Sequence, residues 1–416
     1  MSAELFVYWE SHLVGHLEQD ENRFLIFRYD PDWLANPLRL PISLSLPLQK
    51  EPFLNNKAAP FFSNLLPETG VRALIAQRLG VSVGNDFKLL EALGGDCAGA
   101  LSLLLPGQSP DQDGFYEPLS PESLRKMIEQ MPQRPLLSPG EGLRLSLAGV
   151  QNKLPVYMKD DKFFLPHGAR ASSHILKPPI DKVDHSVENE VFCMRLAAHL
   201  GLPTAKAQFW PDPMPLFLTE RYDRTDEGGH LARLHQEDFC QALGFGSNRK
   251  YESEGGPTLK MCFALVDQYA ASPALDKQRL LQWLVFNNII GNNDAHGKNI
   301  SLLLSRDGVK LAPFYDLLST AIYPGISQKL AMKVGGENRP DWVMLRHWEE
   351  LATDGNVGPR AVFAVIEELL EKWPAAFHKT RNDLVSGPGK YSIVDKIKTH
   401  SDKMIAHLKT VLTEKS

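Results

Sequence analysis

Apolar positions recur at every second residue through much of the first hundred residues, and with a helical period after about residue 235. That pattern predicts a β-rich half feeding a helical half. Residues 5–9 (Leu-Phe-Val-Tyr-Trp), 14–17 and 24–29 are strand candidates. Residues 40–48 alternate apolar with small polar side chains, and their prolines mark an edge strand. Short helices are predicted over 61–66, 70–79 and 87–93; Gly94-Gly95-Asp96 breaks the last, and 98–105 returns as a strand. Residues 1–105 are therefore expected to form a compact, β-rich N-terminal module. Residues 106–142, dense in Pro, Gly, Ser and Gln, read as a linker. Within it, Ser120 as cap and Pro121 at the first helical position predict a helix to about residue 131.

Leu143, Leu145 and Leu147 alternate with Arg144 and Ser146, then Ala148-Gly149 forms a small-residue turn and 155–158 resumes a strand. A tight turn between strands can lay backbone N–H groups over phosphates, although an ordinary hairpin has the same pattern. After a short strand at 163–166, Lys177 ends an apolar strand. Ser186 can cap a helix whose apolar side carries Val191, Met194, Leu196, Ala198 and Leu200 and which stops at Gly201. Glu190 on that helix, in preference to Glu188, is placed to pair with Lys177. Residues 217–224 run from an apolar strand into a connector that Glu220 and Tyr222 would line. Helices are predicted over 235–243, 259–269, 276–290, 342–351, 359–373 and 392–412. The last carries Lys396, Lys398, His400, Lys403, His407 and Lys409, which read as a solvated face.

The chemistry concentrates between Gly291 and Leu318. Asp294 and Asn299 stand in a D-x-x-x-x-N spacing, the spacing of a kinase catalytic loop. An apolar run at 300–304, a turn at Ser305-Arg306-Asp307-Gly308 and a second run at 309–312 lead to Phe314-Tyr315-Asp316. Such a hairpin carries the chain out and back and returns Asp316 to the loop. Phosphoryl transfer needs that grouping: one carboxylate accepts the attacking hydroxyl's proton, while an amide oxygen and a second carboxylate hold Mg²⁺. The six-residue spacing alone is common; followed by a hairpin and a further Asp it is much more specific.

Composition narrows the classes. The 416 residues are 43% hydrophobic and 23% charged, ordinary for a globular protein of two or three domains. A net charge of −5 gives the whole chain no electrostatic reason to bind nucleic acid. Cys97, Cys193, Cys240 and Cys262 are far apart and read as buried free thiols, not a disulfide or zinc framework. Residues 1–10 carry no basic leader and no apolar run is long enough to span a bilayer. The expectation is a cytoplasmic protein with no membrane association.

With these residues collected, the chain resembles the HipA family of bacterial serine/threonine protein kinases, the toxins of type II toxin–antitoxin pairs. The resemblance is carried by residues 145–153, His174 to Lys177, Val187-Glu188-Asn189-Glu190, Glu220 to Arg224, His235 to Asp238, Lys250-Tyr251-Glu252, Asp294 to Asn299 and Phe314-Tyr315-Asp316. Residues 41–48 and Asn64-Leu65-Leu66-Pro67-Glu68 resemble the family's first subdomain. It implies an α+β, bilobal protein-kinase-like fold: an N-terminal subdomain (1–105), a linker (106–142), an ATP-binding N-lobe (143–222) and a helical C-lobe (223–416). It implies ATP and Mg²⁺, with Asp294 as the base and Asn299 and Asp316 holding the metal. Lys177 would pair the phosphates with Glu190 as its partner. Ala148, Gly149, Val150, Gln151, Asn152 and Lys153 would form the phosphate loop, and Glu220, Arg221 and Tyr222 would hold adenine. His296, Gly297, Lys298, Tyr315, Leu317 and Leu318 would flank nucleotide and metal. Ser146 matches the family's autophosphorylated serine, whose phosphate should eject the phosphate loop.

The resemblance further implies a HipB-like helix-turn-helix antitoxin, operator DNA bound mainly through that antitoxin, and a protein substrate of the aminoacyl-tRNA synthetase class, notably glutamyl-tRNA synthetase. Arg346 and His347 are the candidates for a direct DNA contact. The chain lacks the G-x-G-x-x-G, H-R-D and D-F-G of ordinary protein kinases, and its 178–184 segment is short. A small-molecule kinase shares the D-x-x-x-x-N spacing, and a non-enzymatic co-repressor could retain the fold. Ser146 and the N-terminal module argue against the first, and the complete set Lys177, Asp294, Asn299 and Asp316 against the second.

Overall fold

The structure, a computed structural model, describes residues 3–110, 114–131, 151–168, 170–228, 230–384, 387 and 391–414. Its first part is an antiparallel sheet in the order Leu25–Tyr29, His12–Gln19, Ala3–Trp9, Leu101–Leu104. Period-two patterning buries Leu5 and Val7, and a register shift opposite Val7 and Tyr8 lets both Val14 and Leu17 be buried in the paired strand. Helices Asn55–Ser63, Thr69–Leu79 and Asp86–Leu93 supply Phe61, Phe62, Ile75, Phe87 and Leu90 to the same core.

Residues 40–48, expected to be an edge strand, form none; the segment has a single bridge, Ser43 to Leu46. Its polar groups pair elsewhere: the Ser43 hydroxyl (2.5 Å) and the Leu44 amide (2.9 Å) both donate to buried Glu237. Burial pushes the Glu237 carboxyl up to about 8, and these donors pull in the opposite direction.

The second sheet is antiparallel, ordered Tyr116–Leu119, Lys162–Pro166, Leu154–Lys159, His174–Lys177, Leu216–Glu220, Ala207–Trp210. Its outermost strand corrects the sequence reading, because Tyr116–Leu119 lies in the stretch taken for linker. The helix behind it, Pro121–Gln130, starts as expected from a Ser120 side chain accepting from the Ser123 amide. Leu124, Ile128 and Met131 then pack on Leu154, Val156, Leu176 and Leu218, so the segment belongs to this sheet's core.

The remainder is helical around Leu259–Tyr269, Pro273–Ile290, Pro359–Asp383 and Ser392–Thr413. Residues 235–243 are not one helix. His235–Asp238 pairs as a strand with Ser301–Ser305, and Asp238 then caps Phe239–Leu243 through a reciprocal bond with Gln241. The helix expected from Trp342 begins at Leu345, and Trp342 stacks exposed on Arg339 at 4.0 Å. The helix from Pro359 continues through Pro374 to Asp383. On the last helix Lys396, Lys398, Lys403 and Lys409 are solvent-exposed. Among the described residues no helix is long and apolar enough to cross a membrane.

The N-terminal part, the second sheet and the connector after Glu220 meet at a buried ionic cluster. Asp96, 2% exposed, accepts from Arg224 (2.8 Å), Ser172 (3.0 Å) and Arg221 (3.2 Å), with Arg233 at 3.4 Å. Asp223 accepts from Arg221 (2.8 and 3.0 Å) and from the Gly99 amide (2.7 Å). Burial alone would raise the Asp223 carboxyl, but Arg221 and Arg224 hold it down at about 2. Removing one partner from such a cluster strands the others without solvent. Asp96→Asn is therefore expected to lower the unfolding free energy by about 3–5 kcal/mol, measurable as a lower urea midpoint in chemical denaturation.

Candidate active site

Lys177 closes the strand His174–Lys177 and pairs in register with Phe217. Its ammonium lies 2.6 Å from Glu190 on helix Ser186–His199, and it also donates to Asp316. Lys177 is 6% exposed and Glu190 3%. Burial drives the Lys177 ammonium down, but Asp316 and Glu190 outweigh it and keep the lysine charged. One cation serves two carboxylates unequally. Glu190 is pushed up to about 7 by burial against the pull of Lys177, while Lys177 and Lys153 overcome burial to hold Asp316 at about 2. Asp316 sits at φ +53°, a left-handed conformation that costs a non-glycine residue about 1–3 kcal/mol. It is tolerated where the surroundings fix it.

Helix Pro273–Ile290 delivers the chain to Gly291, which turns at φ +69°. A Cβ there would run into the His400 ring of the last helix and lie 2.6 Å from Ala321. The loop beyond is held by its own amides. Asn292 Nδ2 donates to Asn287 (2.8 Å) and to the Asp316 carbonyl (3.2 Å), and Asn299 Nδ2 donates to the Asp294 carbonyl at 3.0 Å. The strands Ser301–Ser305 and Gly308–Leu311 pair with Leu302 opposite Leu311. This is the hairpin the sequence predicted. Tyr315 then donates to the Lys298 carbonyl at 2.7 Å, closing the return of the chain onto the loop.

One cleft of about 900 Å³ collects Gln151, Lys153, Lys177, Glu190, Glu220, Arg221, Tyr222, Asp294, His296, Lys298, Asn299, Tyr315, Asp316 and Leu318. Burial lowers the His296 imidazole to about 4, so it is neutral near pH 7. Tyr222 stacks on Tyr315 with centroids 5.7 Å apart. Arg221 presents little to a ligand, because its guanidinium belongs to the Asp96–Asp223 cluster and its amide donates to Ser173 at 2.9 Å. Leu317 lies in the core, and Gly297 packs where a Cβ would come 2.7 Å from Pro257. Asn152 does not line the cleft. Ser146, Ala148, Gly149 and Val150 lie outside the described residues.

Among the further residues that face the cleft and to which sequence reasoning gave no role are Glu68, Asp238, Lys250 and Tyr251. The Tyr251 hydroxyl donates to Asp294 Oδ1 at 2.6 Å. The motifs Asn64–Glu68 and Lys250–Glu252 were the available signals, but they are remote in sequence from the loop they reach.

The donor set suits a triphosphate with its metal. Lys153 and Lys177 supply positive charge, and Asp316 with the Asn299 amide oxygen supplies hard ligands for Mg²⁺. Among the described residues no group of three or more His, Cys, Asp or Glu could hold a metal alone. A metal here would complete its shell with phosphate oxygens or water.

Residues 5–104 match the HipA N-terminal domain, and residues 145–377 match the HipA-like C-terminal domain. The chain belongs to the HipA family. It is 44% identical over 386 residues to the putative kinase Y4mE of Sinorhizobium fredii, covering 91% of this chain and 92% of that one. It is 34% identical to the serine/threonine-protein kinase toxin HipA of Shewanella oneidensis, over 82% of each chain. The solved complex of Shewanella oneidensis HipA with HipB and its operator DNA contains a chain that superposes with a TM-score of 0.85. That match has 29% identity and covers 98% of this chain and 97% of that one. The protein-kinase-like fold expected from the sequence is thereby established.

The site's ion pairs cannot lose one member without cost, although their net contribution to stability is small. Lys177→Met leaves Glu190 and Asp316 without their shared cation and is expected to cost about 3–5 kcal/mol. Adding Glu190→Gln should recover part of that loss, and equilibrium denaturation of both variants measures the difference.

Proposed function

We propose that this HipA-family chain is an ATP-dependent protein serine/threonine kinase acting as the toxin of a HipBA-like pair. The observation that carries the reading is Lys177 held between Glu190 and Asp316 in the same cleft as Asp294 and Asn299. Lys153 and Lys177 would bind the nucleotide's phosphates, and Glu220 with Tyr222 would line the adenine end. Asn299 and Asp316 would hold Mg²⁺, which when bound neutralises charge on the phosphates. Asp294 takes the acceptor hydroxyl's proton as its oxygen bonds to the γ-phosphorus and the bond to the β-phosphate oxygen breaks, leaving ADP. His296, neutral near pH 7, adds no charge beside that carboxylate.

The HipA–HipB–operator relative supports a HipB-like antitoxin and operator DNA reached mainly through it. Self-phosphorylation at Ser146 and a protein substrate of the aminoacyl-tRNA synthetase class in the cytoplasm are the parts of the reading that rest on the family resemblance alone. Arg346 is exposed and keeps its place as a DNA candidate; the His347 Nδ1 caps its own helix by accepting from the Met344 amide at 2.9 Å.

Phosphopeptide mass spectrometry after incubation with Mg·ATP tests the reading. Phosphate on Ser146 is expected in the wild type. Asp294→Ala should keep the fold and lose about 100- to 10,000-fold in rate, the usual contribution of a positioned base. Full activity in that variant would remove Asp294 from its role. No phosphate on either protein, together with ATP turnover on small hydroxyl compounds, would move the assignment to a small-molecule kinase.

A further inference from the structure

Glu68 stands at the N-cap position of helix Thr69–Leu79, yet its carboxylate makes no capping bond. Both of its oxygens turn into the cleft instead. Oε2 lies 2.8 Å from the Lys250 ammonium and Oε1 2.9 Å from the Lys298 ammonium. Glu68 is 6% exposed. Burial alone would raise it, but Lys298 and Lys250 hold it ionised, at about 2. The N-terminal part of the chain thus places a charged, buried carboxylate among residues of the catalytic loop.

The contact continues to the base. Lys250 lies over the Tyr251 ring at 5.3 Å, and that ring meets His296 edge-on at 5.1 Å. The Tyr251 backbone is pinned by a tight turn, its carbonyl accepting from the Glu254 (3.0 Å) and Gly256 (2.9 Å) amides. From this frame the tyrosine hydroxyl reaches Asp294 Oδ1 at 2.6 Å. Among the described residues it is the hydrogen-bond donor to that carboxylate. A loop carboxylate can rotate about two torsions. Holding one oxygen restricts both torsions and leaves the other oxygen free to accept from an arriving hydroxyl in the cleft that Asp294 lines.

We propose that Glu68, Lys250 and Tyr251 form a strut through which the N-terminal part of the chain orients Asp294, making Glu68 and Tyr251 positioning residues for phosphoryl transfer. The proposal rests on the kinase reading above. It gives the N-terminal part a share in turnover exerted on the base, while Glu68 also pairs with Lys298 and Tyr251 also meets His296 beside the nucleotide.

The test uses the full chain as wild type, Tyr251→Phe, Glu68→Gln and the double variant. Self-phosphorylation is followed by intact mass across a range of Mg·ATP concentrations. Each single variant should lower the maximal rate about 10- to 100-fold, as small misplacements of reacting groups do. The ATP concentration for half-maximal rate should move by less than about twofold, with rates divided by the folded fraction read from circular dichroism, because simple loss of folded protein lowers the maximal rate in the same way. Because both act through one path, the double variant should be no slower than the slower single variant. Amide hydrogen exchange in Glu68→Gln should quicken over residues 250–256 and 294–299, a readout that needs no turnover. Unchanged or raised maximal rates in both single variants, or multiplying effects in the double, would overturn the strut. A wild type that transfers no phosphate would instead sink the kinase reading, and the exchange pattern would still report whether the strut exists.

Discussion

The structure depends on keeping charges out of water only where each has an opposite charge against it. Lys177 between Glu190 and Asp316 is the central instance. An isolated ion in that position would be expensive, so the strand that carries the lysine, the helix that carries Glu190 and the return of the hairpin that carries Asp316 must arrive together. The pairing adds little net stability, because the attraction mainly offsets the desolvation of its members. What it contributes is uniqueness: the sheet, the helix and the loop have one mutual arrangement in which no charge is stranded.

The same constraint joins the N-terminal part to the rest. Asp96 and Asp223 with their three arginines and Glu68 on its two lysines connect residues far apart in sequence, and Ser43 donating to buried Glu237 does so without an opposite charge. Apolar surface between the parts would hold them together in many registers. Directional, buried polar contacts allow one. The cleft therefore has walls from the N-terminal part, the second sheet and the helical part, and its shape is a property of their assembly.

Much of this was legible in the chain because the signals are local. Ser120-Pro121, Gly291 after a helical run, and two apolar runs around Asp307-Gly308 each specify a backbone conformation within a few residues. The failures are tertiary. His235–Asp238 has helical neighbours, and only its pairing with Ser301–Ser305 makes it a strand. Residues 40–48 have the alternation of a strand but give their donors to Glu237, which lies almost two hundred positions away. Tyr116–Leu119 looked like linker because its strand is completed by Lys162–Pro166. The residues around Asp294 divided the same way: those in the D-x-x-x-x-N stretch could be read from spacing, whereas Glu68 and Tyr251 carry no local mark of where they point.

The packing of His400 against Gly291 bears on how the protein is made. The floor of the turn that launches the catalytic loop is supplied by a helix more than a hundred residues further along. During vectorial synthesis Lys177, Asp294 and Asp316 emerge long before that floor does. A nascent chain halted short of residue 400 would hold every chemical group of the site but lack the wall that shapes it. Competence would thus come late in translation, a useful delay in a family whose members include a kinase toxin.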